Sequence, residues 1–211
     1  MSRFVVLGIV VLLSACQSTY YSAMEKIGIP KREIMVSRVE AAQESQEEAK
    51  EEFRSALEAF QSVVGSPGTS LQRQYDRLQD AYDDSLESAE AVSDRIESIE
   101  NVSEALFEEW QQELALYTNA ELRRKSQQQL SATQRNYRQL ISGMRRAEKS
   151  MQPVLNTFRD QTLFLKHNLN AQSIASLKTE LASVQQNVDQ LVIEMEKSIA
   201  EAQAFISLLQ S

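Results

Sequence analysis

Two side chains in this chain carry reactive character near neutral pH: one thiol, Cys16, and one imidazole, His167. A lone cysteine closes no internal disulfide, so it needs another use. A lone histidine excludes the paired Glu-x-x-His motifs of carboxylate-bridged di-iron bundles and the closed Cys/His sets that zinc requires. His167 follows a basic, apolar run at the expected end of a helix, where an imidazole ordinarily complements the carbonyl end of the dipole, so capping is preferred over catalysis. Glu108-Glu109 and Asp83-Asp84 are carboxylate pairs. Neighbours in a helix diverge, so these read as a solvated face. Neither Gly-x-x-x-x-Gly-Lys nor Gly-x-Gly-x-x-Gly occurs, which leaves no loop to cradle a nucleotide. No cofactor, no metal and no catalytic residue is expected; the chain reads as a non-enzyme.

The use of Cys16 follows from what precedes it. Arg3 is followed by the apolar run Phe4–Leu13 and then Ser14-Ala15-Cys16. The run is half of the roughly 20 residues that span a bilayer as helix. It has the length of a signal-peptide core ending in small residues. Leu13-Ser14-Ala15-Cys16 resembles the lipobox of bacterial lipoproteins. That resemblance implies removal of residues 1–15, a diacylglycerol on the Cys16 sulfur, and an acyl chain such as palmitate on the new amino group. Gln17, not aspartate, resembles the sorting pattern for the outer membrane, facing the periplasm. Residues 16–30 read as a lipidated tether, with Tyr20 and Tyr21 either at the lipid interface or opening the first helix. Residues 31–211 read as the folded domain.

The rest of the chain must position anything else. With 5 Gly and 3 Pro among 211 residues, long uninterrupted helices are expected. A first helix from about Lys31 to Val64 carries the seam Val39, Ala42, Gln46, Ala49, Phe53, Ala56, Phe60, Val63, in steps of three and four. Glu40, Glu44, Glu47, Glu48, Glu51, Glu52 and Glu58 line its other side. Gly65-Ser66-Pro67-Gly68 ends it; the second helix starts at Thr69 or Ser70, and Thr69-x-x-Gln72 resembles a capping box. The second seam runs Leu71, Tyr75, Leu78, Tyr82, Ser85, Ala89, Val92, Ile96, Ile99, Ser103, Leu106, Trp110, Glu113, Tyr117. Trp110 is expected in the core near one end. The seam then loses phase. A turn with a cap at Thr118 and Glu121 is preferred, and a continuous helix with a shifted face is the alternative. The third helix, about Ala120 to Lys166, has the seam Leu122, Leu130, Thr133, Tyr137, Leu140, Met144, Ala147, Met151, Leu155, Phe158, Thr162, Leu165, with a kink expected at Pro153. Asn168 or Asn170 caps the fourth, whose seam is Ile174, Leu177, Leu181, Val184, Val188, Leu191, Met195, Ser198, Ala202, Phe205, Leu209. The fold class is all-α: an elongated antiparallel bundle of three to four long helices with coiled-coil-like packing.

Charge is unevenly shared. Residues 70–118 carry 13 acidic and 3 basic side chains, and residues 119–166 carry 3 acidic and 10 basic. The preferred account is that these neighbours pair along their edges. The alternative is a basic patch for lipid head groups, lipopolysaccharide or cell-wall polymer: Arg123, Arg124, Lys125, Arg135, Arg138, Arg145 and Arg146. A net charge of -8 excludes nucleic acid as an expected partner. Expected partners are the membrane through the anchor, other envelope proteins, or further copies of the chain.

Met151-Gln152-Pro153-Val154-Leu155, Asp160 and Leu165-Lys166-His167-Asn168-Leu169-Asn170 resemble a family of bacterial lipoproteins catalogued only as a domain of unknown function. Trp110, Glu113, Leu114, Tyr117 and Asn119 share the likeness. It implies an all-helical envelope lipoprotein and no assigned activity. The leading expectation for function is therefore a non-catalytic scaffold, spacer or adaptor.

Overall fold

A computed structural model describes residues 20, 21, 24, 26–65, 70–168 and 170–210. Cys16 and residues 1–15, read from the sequence as a signal segment, lie outside them, as do residues 66–69 of the expected first turn. The described body is four long helices: α1 (Lys31–Gly65), α2 (Leu71–Leu114), α3 (Ala120–His167) and α4 (Ala171–Gln210). No strand occurs among the described residues. At 1.5 Å per residue, the 48 residues of α3 make a rod about 70 Å long.

Each helix packs against two others: α1 lies against α2 and α4, and α3 closes the ring against the same pair. Lys31 meets Glu109 while Ser85 reaches the Glu52 carbonyl, so α1 and α2 run in opposite directions. Trp110 meets Ser126 and Glu100 meets Arg145, which fixes the same relation for α2 and α3. The inner faces supply one continuous core. Every member of the α1 seam is buried, from Val39 to Val63, and so is every α4 seam residue except the half-buried Leu181. Phe53, Phe60 and Phe158 are among the largest side chains fully enclosed. Burying such a ring contributes about 1.5–3 kcal/mol.

The helix ends follow their residues. Asn119 occupies the N-cap of α3, its Oδ1 accepting from Glu121 N at 2.9 Å and Leu122 N at 3.1 Å. The cap is therefore one residue later than the Thr118 cap expected: the side chain of Asn119 reaches both free N–H groups. Residues 115–119 form the turn, so α2 and α3 are separate helices. Asn170 caps α4 by accepting from Ser173 N at 3.0 Å. Ser70, one of the two starts open to α2, is its N-cap, and its side chain makes no cap hydrogen bond; Thr69 of the expected capping box lies outside the described residues. Helix α3 continues through Pro153 without a stop. Pro153 is exposed, and Thr157 Oγ1 donates to its carbonyl at 2.9 Å.

The stretch read as tether is partly packed. Tyr21 is buried, and with Tyr20 it lines a surface recess shared with Arg38 of α1 and Asp94, Glu97 and Asn101 of α2. The chain is helical at Tyr20, Tyr21, Met24 and Lys26, and reverses at Gly28, whose φ of 89° is open to a residue without Cβ. Glu33 N and Ile34 N then bond the Pro30 carbonyl as α1 begins.

Candidate functional site

The end of the bundle where α1 starts and α4 stops is built differently from its middle. Lys31, the first residue of α1, is level with Glu109, so the last turn of α2 extends beyond it. Leu208 and Leu209 of α4 share a recess with Gln129, Ala132 and Thr133 of α3, so the start of α3 extends beyond α4. The α2–α3 hairpin thus projects past the other two helices. Residues 115–125 are exposed throughout. On them sit Leu116 (78% exposed), Tyr117 (41%) and Leu122 (52%), next to Arg123, Arg124 and Lys125. Tyr117 and Leu122 were expected in seams. They face water because no neighbouring helix reaches this far.

Beneath the hairpin lies a recess of about 450 Å³, walled by all four helices. Its apolar side is Leu106, Trp110 and Leu209, and Arg32, Glu109 and Glu113 bring charge to it. Trp110 is half-buried, not fully enclosed as expected for a core knob, and its indole Nε1 donates to Ser126 Oγ at 2.8 Å. One turn deeper, Phe107 and Tyr137 meet edge to face with centroids 5.4 Å apart. Burial pushes the Tyr137 phenol above its ordinary range, opposed by a hydrogen bond with Ser103.

The seven basic candidates of α3 do not form one patch. Arg145 turns to α2 and clamps Glu100, while its NH1 meets Glu148 of its own helix at 2.9 Å. These bonds, the one to Glu100 first, hold the guanidinium firmly protonated. Arg146 turns the other way, 3.8 Å from Glu201 of α4. Glu201 lies over Gly143, the one place in α3 where a Cβ would collide with it. Lys125 pairs with Glu121 at 3.2 Å. Arg123, Arg124, Arg135 and Arg138 are exposed and make no ion pair among the described residues. Among the described residues the expected ladder of ion pairs between α2 and α3 reduces to Arg145–Glu100. Exposed pairs contribute only about 0–1 kcal/mol each, too little to draw the other long side chains out of water.

The remaining candidates stand apart. His167 is exposed in the last turn of α3, in line with Lys166. Glu108 is exposed, whereas Glu109 turns inward to Lys31 at 3.1 Å. Asp83 accepts from Gln79 at 2.9 and 3.0 Å. Among the described residues no group of three or more His, Cys, Asp or Glu is placed to hold a metal. No helix among them is long and apolar enough to cross a membrane. Two polar groups in the core were legible only as gaps in the seams. Gln46 is fully enclosed on α1 with neither amide atom hydrogen-bonded among the described residues, and Ser198 Oγ on α4 is in the same condition.

Neither the curated proteins nor the solved structures contain a match to the chain. A family model does match: residues 20–209 fit the family described as protein of unknown function DUF2959, beginning beside the buried Tyr21 and ending at Leu209 of the core, and the chain belongs to that family.

Proposed function

We propose that this is a lipid-anchored envelope protein, acylated at Cys16 and held on the outer membrane facing the periplasm. Its helical body acts there as a non-catalytic scaffold, spacer or adaptor for other envelope proteins. The anchor reading rests on Leu13-Ser14-Ala15-Cys16 behind a leader of signal length. The observation that carries the scaffold reading is how the helices use their faces. Their inner faces are spent on each other, and what they offer outward is long charged surface. The outer side of α1 presents exposed Glu40, Glu44, Glu47, Glu48, Glu51 and Glu58. Surfaces of this kind favour partners through charge complementarity and steering.

Photo-cross-linking amino acids placed at Glu104 on α2 and Arg138 on α3, in intact cells, test this. Discrete adducts with envelope proteins are expected. Capture of lipid or polymer alone overturns the scaffold reading.

A second reading is favoured by the unpaired, exposed Arg135 and Arg138. They would hold an anionic envelope ligand such as lipopolysaccharide or cell-wall polymer. Salt-dependent retention on such polymer, lost in the Arg135→Gln, Arg138→Gln variant, is its signature.

A further inference from the structure

We propose that the projecting α2–α3 turn is a membrane-contact surface: Leu116, Tyr117 and Leu122 enter the head-group region of the bilayer that holds the anchor, and Arg123 and Arg124 lie on its phosphates. The inference rests on the lipid-anchored reading above. Its first support is where apolar side chains are left uncovered. Among the described residues, three of the nine large exposed hydrophobics sit on this turn and the first turn of α3, and Ile27, 70% exposed, precedes Pro30 and the start of α1 at the same end. Tyrosine and leucine beside arginine match an interface, where apolar bodies enter and cationic heads stay with phosphate. The rest of the second helix is no rival for anionic lipid, since residues 70–118 carry 13 acidic side chains against 3 basic.

Chain length is the second support. Cys16 and Tyr20 are four residue steps apart, at most about 14 Å of extended chain. Tyr20, exposed, and the buried Tyr21 border a recess that Asp94, Glu97 and Asn101 of α2 also line. The body is therefore held close to the bilayer, by the half that ends in the α2–α3 turn. From Asn101 to Leu114 the helix rises about 20 Å, more than the tether allows, so contact of the turn with the bilayer requires the bundle to lie along the surface and not upright on it.

A second copy is the weaker occupant. A convex turn with three apolar side chains falls well short of the roughly 800 Å² per partner that a stable protein interface covers. A deformable lipid surface accommodates it.

The test uses the full acylated chain in phosphatidylethanolamine–phosphatidylglycerol vesicles. Leu116→Cys and Leu122→Cys variants are labelled with bimane, with Leu163→Cys at the far end as comparator. In the anchored protein the Cys16 sulfur is blocked by lipid, so only the new thiol reacts, and helix content by circular dichroism checks each fold. Lipids carrying a shallow doxyl group are expected to quench the probe at 116 and 122 severalfold more than at 163. Equal, weak quenching at all three while the chain floats with the vesicles overturns the inference and leaves the anchor standing. A concentration-dependent blue shift at 116 without doxyl quenching assigns the turn to a second copy and overturns it too. A chain that does not float with the vesicles removes the anchor reading, and this inference with it.

Discussion

Replacing Gln46 by leucine should make the protein more stable. Gln46 occupies a seam position of α1 between Ala42 and Ala49, with no exposure to solvent. Neither its Nε2 nor its Oε1 meets a hydrogen-bonding partner among the described residues. An amide buried without a partner costs about 1–3 kcal/mol on the protein mutational scale. Leucine has one heavy atom fewer and no polar group, and it gains the burial that its neighbours Val39 and Phe53 already have. The methyl groups fit less than perfectly, which takes back part of the gain, up to about 1 kcal/mol. The net expectation is a gain of about 2 kcal/mol, or about 4–8 °C in Tm for a domain of this size. Urea unfolding followed by circular dichroism should show a higher midpoint with an unchanged m-value. A lower midpoint for Gln46→Leu would refute the reasoning, because it would mean the amide has partners in the folded protein. A higher midpoint with doubled methyl resonances would assign Gln46 a further task, that of fixing the helix register.

Three further outcomes follow from the same packing. Gly143→Ala should stabilise α3 by up to about 1 kcal/mol, since the Glu201 carboxylate over Gly143 is the end of a flexible side chain that swings aside, and alanine favours helix; a loss larger than that in thermal unfolding contradicts it. Arg145→Gln, which breaks both the Glu100 and Glu148 contacts, should cost about 1 kcal/mol, whereas Arg138→Gln on the open face should stay within about 0.5 kcal/mol; equal midpoints in urea would remove Arg145 as the α2–α3 clasp. Burial raises the Tyr137 phenol, so the folded state holds its proton longer than the unfolded one. The stability this provides is complete below the unfolded pKa of about 10 and is lost as pH rises through the higher folded value. Chemical unfolding at rising alkaline pH should therefore show a steeper decline for the natural chain than for Tyr137→Phe, and parallel declines would contradict the assignment.

Most of the fold could be read from the chain because its message is periodic. The α1 and α4 seams and the stretch of α3 from Leu130 to Leu165 go inward as spaced, since a helix buried on one side leaves a three-four trace wherever it has a neighbour. The misreadings cluster where a neighbour ends. Tyr117 and Leu122 continue an apolar rhythm but lie past Lys31 and Gln210, and local spacing carries no information on how far the adjacent helices extend. Trp110 stands at that boundary and is accordingly half-covered. Leu114 and Val102, buried though not placed in the α2 seam, lie beside seam positions, as expected when a helix of 3.6 residues per turn drifts against a seven-residue repeat. The basic residues show a different limit: composition separates acidic α2 from basic α3, yet only geometry shows Arg145 and Arg146 turning to opposite neighbours. Glu201 over Gly143 left one trace, a glycine inside an otherwise unbroken helix.

The claim on which location, tether and membrane contact all depend is the acylation of Cys16. Intact and peptide mass spectrometry of the protein purified from its own membranes measures it directly. The account predicts a chain that begins at Cys16 and carries the mass of a diacylglycerol and an added acyl group. A chain that keeps residues 1–15, or one whose Cys16 is an unmodified thiol, would contradict it.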